Sequence, residues 1–155
     1  MQLKTVDGPT FSLSVERYEF PDEELGPTED NPADEFDQER FLVIRIAVTT
    51  SDGEWSMARP EMTTNELERL ANWLEQVSSG SPSKRGVYFT ERDLEFTVDE
   101  SVRILTAHLF GDFLPPWAKE KQHDLAFPID EIDLAGAIAS LRSQLEQFPG
   151  LPTPS

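Results

Sequence analysis

Cysteine is absent from the 155 residues of this chain, and histidine occurs only twice. Without cysteine the chain has no disulfide framework, no thiolate nucleophile and no zinc knuckle. The sequence also has no glycine-rich phosphate loop, no His-Glu-x-x-His zinc motif and no Gly-x-Ser-x-Gly nucleophile elbow. These absences argue against the common catalytic classes. We therefore expect a non-enzymatic protein that uses no cofactor.

Long apolar runs are missing as well. No stretch approaches the roughly 18 apolar residues of a membrane-spanning helix, and the first residues, Met-Gln-Leu-Lys-Thr-Val-Asp-Gly, lack the apolar segment of a signal peptide. We expect a cytoplasmic protein without a membrane partner. The length suits one domain, predicted over residues 1–149, with a flexible tail over residues 150–155.

Positive charge is scarce, because 13 lysines and arginines stand against 30 aspartates and glutamates, for a formal net charge of −17. Such a chain repels nucleic-acid phosphates and anionic lipids, so neither is an expected ligand. A cationic partner suits it better. A large acidic surplus can also serve solubility alone.

The acidic charge is concentrated between Pro21 and Arg40, where nine carboxylates occur without any lysine or arginine. These carboxylates belong to Asp22, Glu23, Glu24, Glu29, Asp30, Asp34, Glu35, Asp37 and Glu39. Because like charges repel, we predict that residues 21–39 form an exposed loop that contacts a partner. Alternatively, the same carboxylates bind a divalent metal ion or a small cationic ligand. The loop lacks EF-hand spacing, since Pro32 occupies the third position counted from Asp30.

Alternating apolar residues predict several strands joined by tight turns. The alternation changes parity near Glu16 and Arg17, which predicts a bulge there. Ser51-Asp52-Gly53 is a turn signal between two strands of a hairpin. The predicted strands cover residues 11–20, 41–48, 54–58, 87–90, 94–98, 102–110 and 124–127.

Two helices are expected from apolar residues at helical period. Thr63 and Glu66 have the spacing of a capping box, which predicts a helix over about 64–79. A second helix is predicted over about 131–148, with Asp130 as its N-cap. Because hairpin-linked strands pair antiparallel, the predicted fold class is α+β. It is a mainly antiparallel β-sheet built from hairpins, with both amphipathic helices packed on it.

Two histidines and one tryptophan are the remaining candidates for a site. We expect His108 to be a partly buried, hydrogen-bonded strand residue and His123 to be an exposed side chain, because no serine nucleophile pairs with either. Trp117 follows Pro115-Pro116, whose backbone is extended and stiff. Such a tryptophan either plugs the edge of a core or anchors a partner. We include Trp117 among the candidate partner-binding residues.

Several short motifs along residues 1–149 together resemble a known family. The motifs are Tyr18-Glu19-Phe20-Pro21, Trp55, Glu66 to Leu74 with Trp73-Leu74 at its end, Phe89-Thr90-Glu91, Leu94-Glu95-Phe96, Pro115-Pro116-Trp117-Ala118 and Phe148-Pro149. Their order is similar to that of WapI-type immunity proteins. The resemblance implies an antitoxin that neutralises the cognate protein toxin domain of a contact-dependent toxin system.

Toxins of such systems are frequently nucleases, and a nuclease needs a basic surface to hold phosphates. An acidic inhibitor is the electrostatic counterpart of such a surface. The resemblance therefore implies a basic toxin domain as the partner. It assigns no binding residue within the acidic run, and it leaves the oligomeric state open.

Overall fold

The computed structural model describes residues 1–20 and 40–150. In chain order its elements are β1 (Gln2–Lys4), β2 (Thr10–Tyr18), β3 (Phe41–Thr50), β4 (Gly53–Thr63), α1 (Thr64–Ser78), β5 (Gly86–Tyr88), β6 (Leu94–Asp99), β7 (Ile104–Phe110), β8 (Gln122–Pro128) and α2 (Leu134–Gln147). The strands form two antiparallel four-stranded sheets, β1-β2-β3-β4 and β5-β6-β7-β8. The α+β prediction is confirmed, with the hairpin-linked strands divided between two sheets.

The first sheet contains the predicted bulge and the predicted turn. The register of β2 against β3 shifts between Val15 and Arg17, and the Val15 amide donates to the Gln144 side chain of α2 over 2.6 Å. The helix thus binds a backbone group at the bulge. At the turn into β4, Gly53 has a φ of 145°, a conformation that favours glycine.

Two strands of the first sheet differ from the prediction. The strand β1 was not predicted, because three residues are too few to show alternation. The strand β4 continues to Thr63, well beyond the predicted end at Ala58. A second bulge explains this difference, since Leu42 pairs with Met62 and Val43 pairs with Pro60, which leaves Glu61 as the extra residue.

In the second sheet the strand positions are close to the prediction. The strand β7 begins at Ile104 rather than at the predicted Val102, because Arg103 has a φ of 53° and belongs to the preceding turn. Val102 is accordingly 60% exposed. The predicted strand 87–90 is found at Gly86–Tyr88, and the predicted strand 124–127 lies within β8.

The capping box of α1 is confirmed. The Glu66 amide donates to Thr63 Oγ1 over 3.2 Å, and the Thr63 amide donates to Glu66 Oε1 over 3.1 Å. The predicted N-cap of α2 is wrong. Asp133 caps this helix by accepting from the Gly136 amide. Asp130 lies in the 3₁₀ turn that follows β8 and pairs with Arg103 instead.

Both sheets and both helices contribute to one cluster of buried apolar side chains. Phe11 of β2 meets Phe96 of β6 edge to face, with 5.7 Å between ring centroids. The helices contact each other, and Arg142 of α2 bonds to Glu75 and Asn72 of α1. The predicted apolar stripe of α2 faces this cluster; it consists of Leu134, Ile138, Leu141, Leu145 and Phe148.

Candidate functional site

Most of the predicted partner-binding residues lie outside the described residues. All nine carboxylates of the acidic run belong to residues 21–39, for which the structure describes nothing. The prediction of an exposed binding loop, and the alternative of a metal or cationic ligand on it, both fall there. Trp117 is the one predicted site residue whose surroundings are described.

Trp117 rests on the end of the first sheet. Its ring meets Trp55 edge to face, with 5.5 Å between centroids and 83° between planes. It also covers the turn at Gly53, where an added Cβ would lie 2.8 Å from the Trp117 ring. Trp117 nevertheless remains 47% exposed. The side chain therefore covers the core edge and also offers aromatic surface to solvent.

Trp55 is the buried platform under Trp117. Its indole Nε1 donates to the Phe113 carbonyl over 3.0 Å. His123 of β8 meets the same ring edge to face at 5.5 Å between centroids. His123 is therefore half-buried rather than exposed, and that prediction is wrong. The cross-sheet contact with Trp55 could not be seen from the neighbouring residues of His123.

Four carboxylates surround the guanidinium of Arg59 in β4. They belong to Glu61, Glu91, Asp93 and Asp112, and we call this group the Arg59 cluster. Arg59 Nη1 lies 2.8 Å from Asp93 Oδ2 and also bonds to Asp112. One cation for four acids leaves the cluster negative. Asp112, at 68% exposure of its side chain, presents that charge to solvent.

Glu61 is the buried member of the Arg59 cluster. The bulge turns its side chain inward, where it is fully buried and its Oε1 accepts from the Asp93 amide over 3.1 Å. Burial, reinforced by the nearby Asp93 carboxylate, raises the pKa of Glu61 to about 8. Burial also raises the pKa of Asp93, although Arg59 opposes that shift. Burial therefore favours the protonated form of Glu61.

A hydrogen-bonded row crosses the outer face of the second sheet. Thr97 Oγ1 lies 2.7 Å from His108 Nε2, and His108 Nδ1 lies 2.7 Å from Asp124 Oδ1. Gln122 also donates to Asp124 over 2.8 Å. Burial alone would raise the pKa of Asp124, but the hydrogen bonds from Gln122 and His108 outweigh it and lower the pKa. The prediction that His108 is a partly buried, hydrogen-bonded strand residue is confirmed.

The row from Thr97 through His108 to Asp124 has the connectivity of a catalytic nucleophile, base and acid. The sequence alone did not predict this row. Only the strand register shows it, because His108 and Asp124 are cross-strand neighbours in the structure. A triad also needs amide donors for an oxyanion. Thr97 and His108 stand on the two central strands, whose amides are used on both sides by the sheet. Within the described sheet, the backbone amides of these two strands are therefore engaged in strand pairing.

The described part of the chain offers little else for chemistry. Within residues 1–20 and 40–150, no group of three or more histidine, aspartate or glutamate side chains is placed to hold a metal ion. In the same residues, no helix is long and apolar enough to cross a membrane. What the described surface presents is an exposed tryptophan beside a partly exposed acidic cluster.

Comparison with known proteins identifies a family for this chain. Searches among curated proteins and among solved structures gave no match. The model of one protein family, described as the immunity protein WapI-like family, matches residues 2–149. That match covers both sheets and both helices, as well as the acidic run. The chain therefore belongs to the WapI-like immunity protein family.

Proposed function

We propose that this chain is a non-enzymatic, cytoplasmic immunity protein that binds and neutralises a cognate, basic toxin domain. The single observation that carries the proposal is the family match over residues 2–149. Immunity proteins act by binding, so the chemical character of the binding surface determines which partner is bound. The net charge of −17 favours a basic one.

The acidic run and the described surface would have different roles in that complex. The nine carboxylates of residues 21–39 supply long-range attraction, which raises association rates toward about 10⁸ M⁻¹s⁻¹ or above at low salt. Trp117 supplies contact area, since a half-exposed tryptophan on a buried platform loses little entropy when a partner covers it. Steering and tight contact would thus come from separate residues.

The Arg59 cluster supports the same choice of partner. Asp112 and Glu91 are exposed members of the cluster, and the cluster shares the segment 111–117 with Trp117. Lysine or arginine side chains of a basic partner would find carboxylates beside an aromatic ring, which suits both ion pairing and cation–π contact. A nucleic acid would be repelled by the same groups.

Binding kinetics with a purified candidate for the cognate toxin domain test the proposal. The double reversal Asp34→Lys/Glu35→Lys should lower the association rate constant about tenfold at low salt, with a smaller difference at high salt because ions screen the charges. The matched control is Glu68→Lys/Glu146→Lys, which changes net charge equally at exposed positions of α1 and α2.

The control should lower the rate constant much less than the reversal within residues 21–39. Equal effects of the two variants would show that only net charge matters and would remove the binding role of the acidic run. Failure of the unmodified chain to bind the toxin domain, or to protect cells that express it, would refute the proposed function itself.

A further inference from the structure

Three of the four outer strands of the two sheets are protected against pairing with another chain. The strand β1 has only three residues and is therefore a poor template. The outer edge of β5 is covered by α1, whose Trp73 Nε1 donates to the Lys84 carbonyl over 2.8 Å. Arg69 of α1 likewise donates to the Tyr88 carbonyl over 3.4 Å. Short length and a covering helix are common protective devices.

The third protected edge is β4. Its bulge at Glu61 interrupts the regular spacing of backbone groups, and Pro60 has no amide to donate. The 3₁₀ turn Gly111–Phe113 contacts β4, and Trp55 bonds to the Phe113 carbonyl. A strand from another molecule would meet an irregular edge that is partly covered.

The outer edge of β8 has none of these devices. All seven of its residues pair with β7 without a register shift, and Pro128 at its end is the only proline. The Ile129 amide donates to the Arg103 carbonyl. Since antiparallel pairs alternate, the amides of Gln122, Asp124 and Ala126 must point away from β7.

These three amides have no partner within the described residues. Gln122 and Asp124 use their side chains in the row with His108, but no hydrogen bond among residues 1–20 and 40–150 reaches the three backbone N–H groups. The carbonyls of the same residues point the same way. The edge therefore offers a regular set of donors and acceptors at the spacing of a strand.

A groove of about 680 Å³ runs along this edge. Its opposite wall is formed by the turn Val6–Pro9 and by residues 49–51 at the β3–β4 turn. Asp7 and Asp124 line the groove, and no lysine or arginine does so among the described residues. Val6 stands in its wall at 93% exposure. The groove is thus acidic and carries one fully exposed apolar side chain.

We propose that β8 is a docking edge, on which an extended, basic segment of the toxin domain pairs as an added strand. This inference rests on the proposed function. Charge complementarity selects the occupant, because Asp7 and Asp124 line the groove and, among the described residues, no lysine or arginine does. Backbone pairing would supply affinity, and side-chain contacts would supply specificity.

The pattern of the docking segment follows from the pleat of the sheet. Side chains of the added strand that lie on the outer face would be neighbours of Asp124, so lysine or arginine is expected there. Side chains on the other face would lie beside Leu125 and Val6, so apolar residues are expected there. The toxin segment should therefore alternate cationic and apolar residues.

Backbone hydrogen exchange on the full chain, with and without the candidate toxin domain of the binding experiment, tests this inference. In the free chain the amides of Gln122, Asp124 and Ala126 should exchange quickly. Those of His123 and Leu125, which bond to β7, should exchange slowly. On binding, the three outward amides should slow at least tenfold.

A pair of variants isolates the backbone contribution. Ala126→Pro removes one outward amide without removing a bond to β7, and it should weaken toxin binding at least tenfold. Ala126→Ser keeps the amide while changing the side chain and should bind like the unmodified chain. Thermal unfolding of both variants shows whether the sheet is intact. If Ala126→Pro does not fold, the exchange experiment decides alone.

The outcomes separate the two proposals. Toxin binding without protection of the three outward amides would overturn the docking edge and leave the immunity function standing. Absence of binding would overturn both. Protection in the free chain that grows with protein concentration would show a second copy on the edge, and protection independent of concentration would show that another segment of this chain covers it. Either result would refute the toxin segment as the occupant.

Discussion

The outer strands β4 and β8 each carry a carboxylate, Glu61 and Asp124, in very different surroundings. In β4 a bulge places Glu61 in the interior. Trp55 of the same strand lies under the segment 111–117 and bonds to the Phe113 carbonyl. In β8 the pairing is regular and Asp124 stays at the surface, 48% exposed at its side chain. Two carboxylates on edge strands thus acquire opposite properties, since burial raises the pKa of Glu61 and hydrogen bonds lower the pKa of Asp124.

This difference shows how an acidic protein can use its edges for separate purposes. An irregular, covered edge ties the sheet to the rest of the core, and a regular, open edge remains available for a partner. Changes in β4 should therefore affect folding most strongly. Changes on the open edge of β8 should affect binding and leave stability nearly unchanged.

The largest expected effect is that of Trp55→Ala. Trp55 is buried, packs on Trp117 and His123, and bonds to Phe113. Its removal should lower the free energy of unfolding by about 3–5 kcal/mol, measured by urea denaturation. Trp117→Ala is the control, because a half-exposed ring should cost about 1 kcal/mol. Equal losses for the two variants would mean that Trp55 is not the structural platform of the pair.

The second effect is a fall in stability with rising pH caused by Glu61. Its pKa is raised from 4.5 to about 8 in the folded chain. Unfolding between those pH values releases the proton of Glu61. Because of this release, the free energy of unfolding falls by about 1.4 kcal/mol for each unit that the pH rises. Glu61→Gln keeps a neutral side chain at every pH and should remove this slope. The variant should therefore gain stability over the unmodified chain at pH 8.

Urea denaturation at several pH values between 5 and 8 measures the slope. Glu91→Gln is the matched control, because Glu91 belongs to the same cluster but is more exposed. It should leave the slope of the unmodified chain in place. A slope unchanged in Glu61→Gln would show that Glu61 is ionised in the folded chain.

The smallest effect is expected from Asp124→Asn in β8. The pKa of Asp124 is lowered in the folded chain. Its carboxylate therefore stabilises the fold at pH values above the ordinary pKa of aspartate. This contribution is lost as the pH falls through the lowered pKa. At pH 7 the substitution should cost under about 1 kcal/mol, since the carboxylate is solvated. Thermal unfolding at pH 7 and pH 3 checks both statements; a variant that loses more stability at pH 3 than at pH 7 would contradict them.

Much of the fold was predictable because local chemistry controls it. Thr63 and Glu66 cap the first helix through bonds between near neighbours in sequence. The turn at Gly53 and the bulge near Glu16 likewise follow from residue type and alternation. The family was predictable from short motifs, and the family match confirms it. The predicted domain boundaries and the acidic binding loop stay predictions.

The features missed depend on contacts between distant segments. Asp133 rather than Asp130 caps α2, because Asp130 bonds to Arg103, which is far away in sequence. Nothing near His123 shows that it packs on Trp55. The row from Thr97 through His108 to Asp124 needed the strand register. None of these contacts can be read from a pattern of neighbours.

By itself the sequence determined the acidic character, the capping box of the first helix, the alternating strands and the family, because charge, capping and periodicity are properties of residues close together in the chain. The tertiary structure alone decided that Glu61 is buried, which raises its pKa, while Asp124 remains solvated. It also decided that β8 is an outer strand of its sheet. The physical reason is that burial and edge position depend on which strands become neighbours in space.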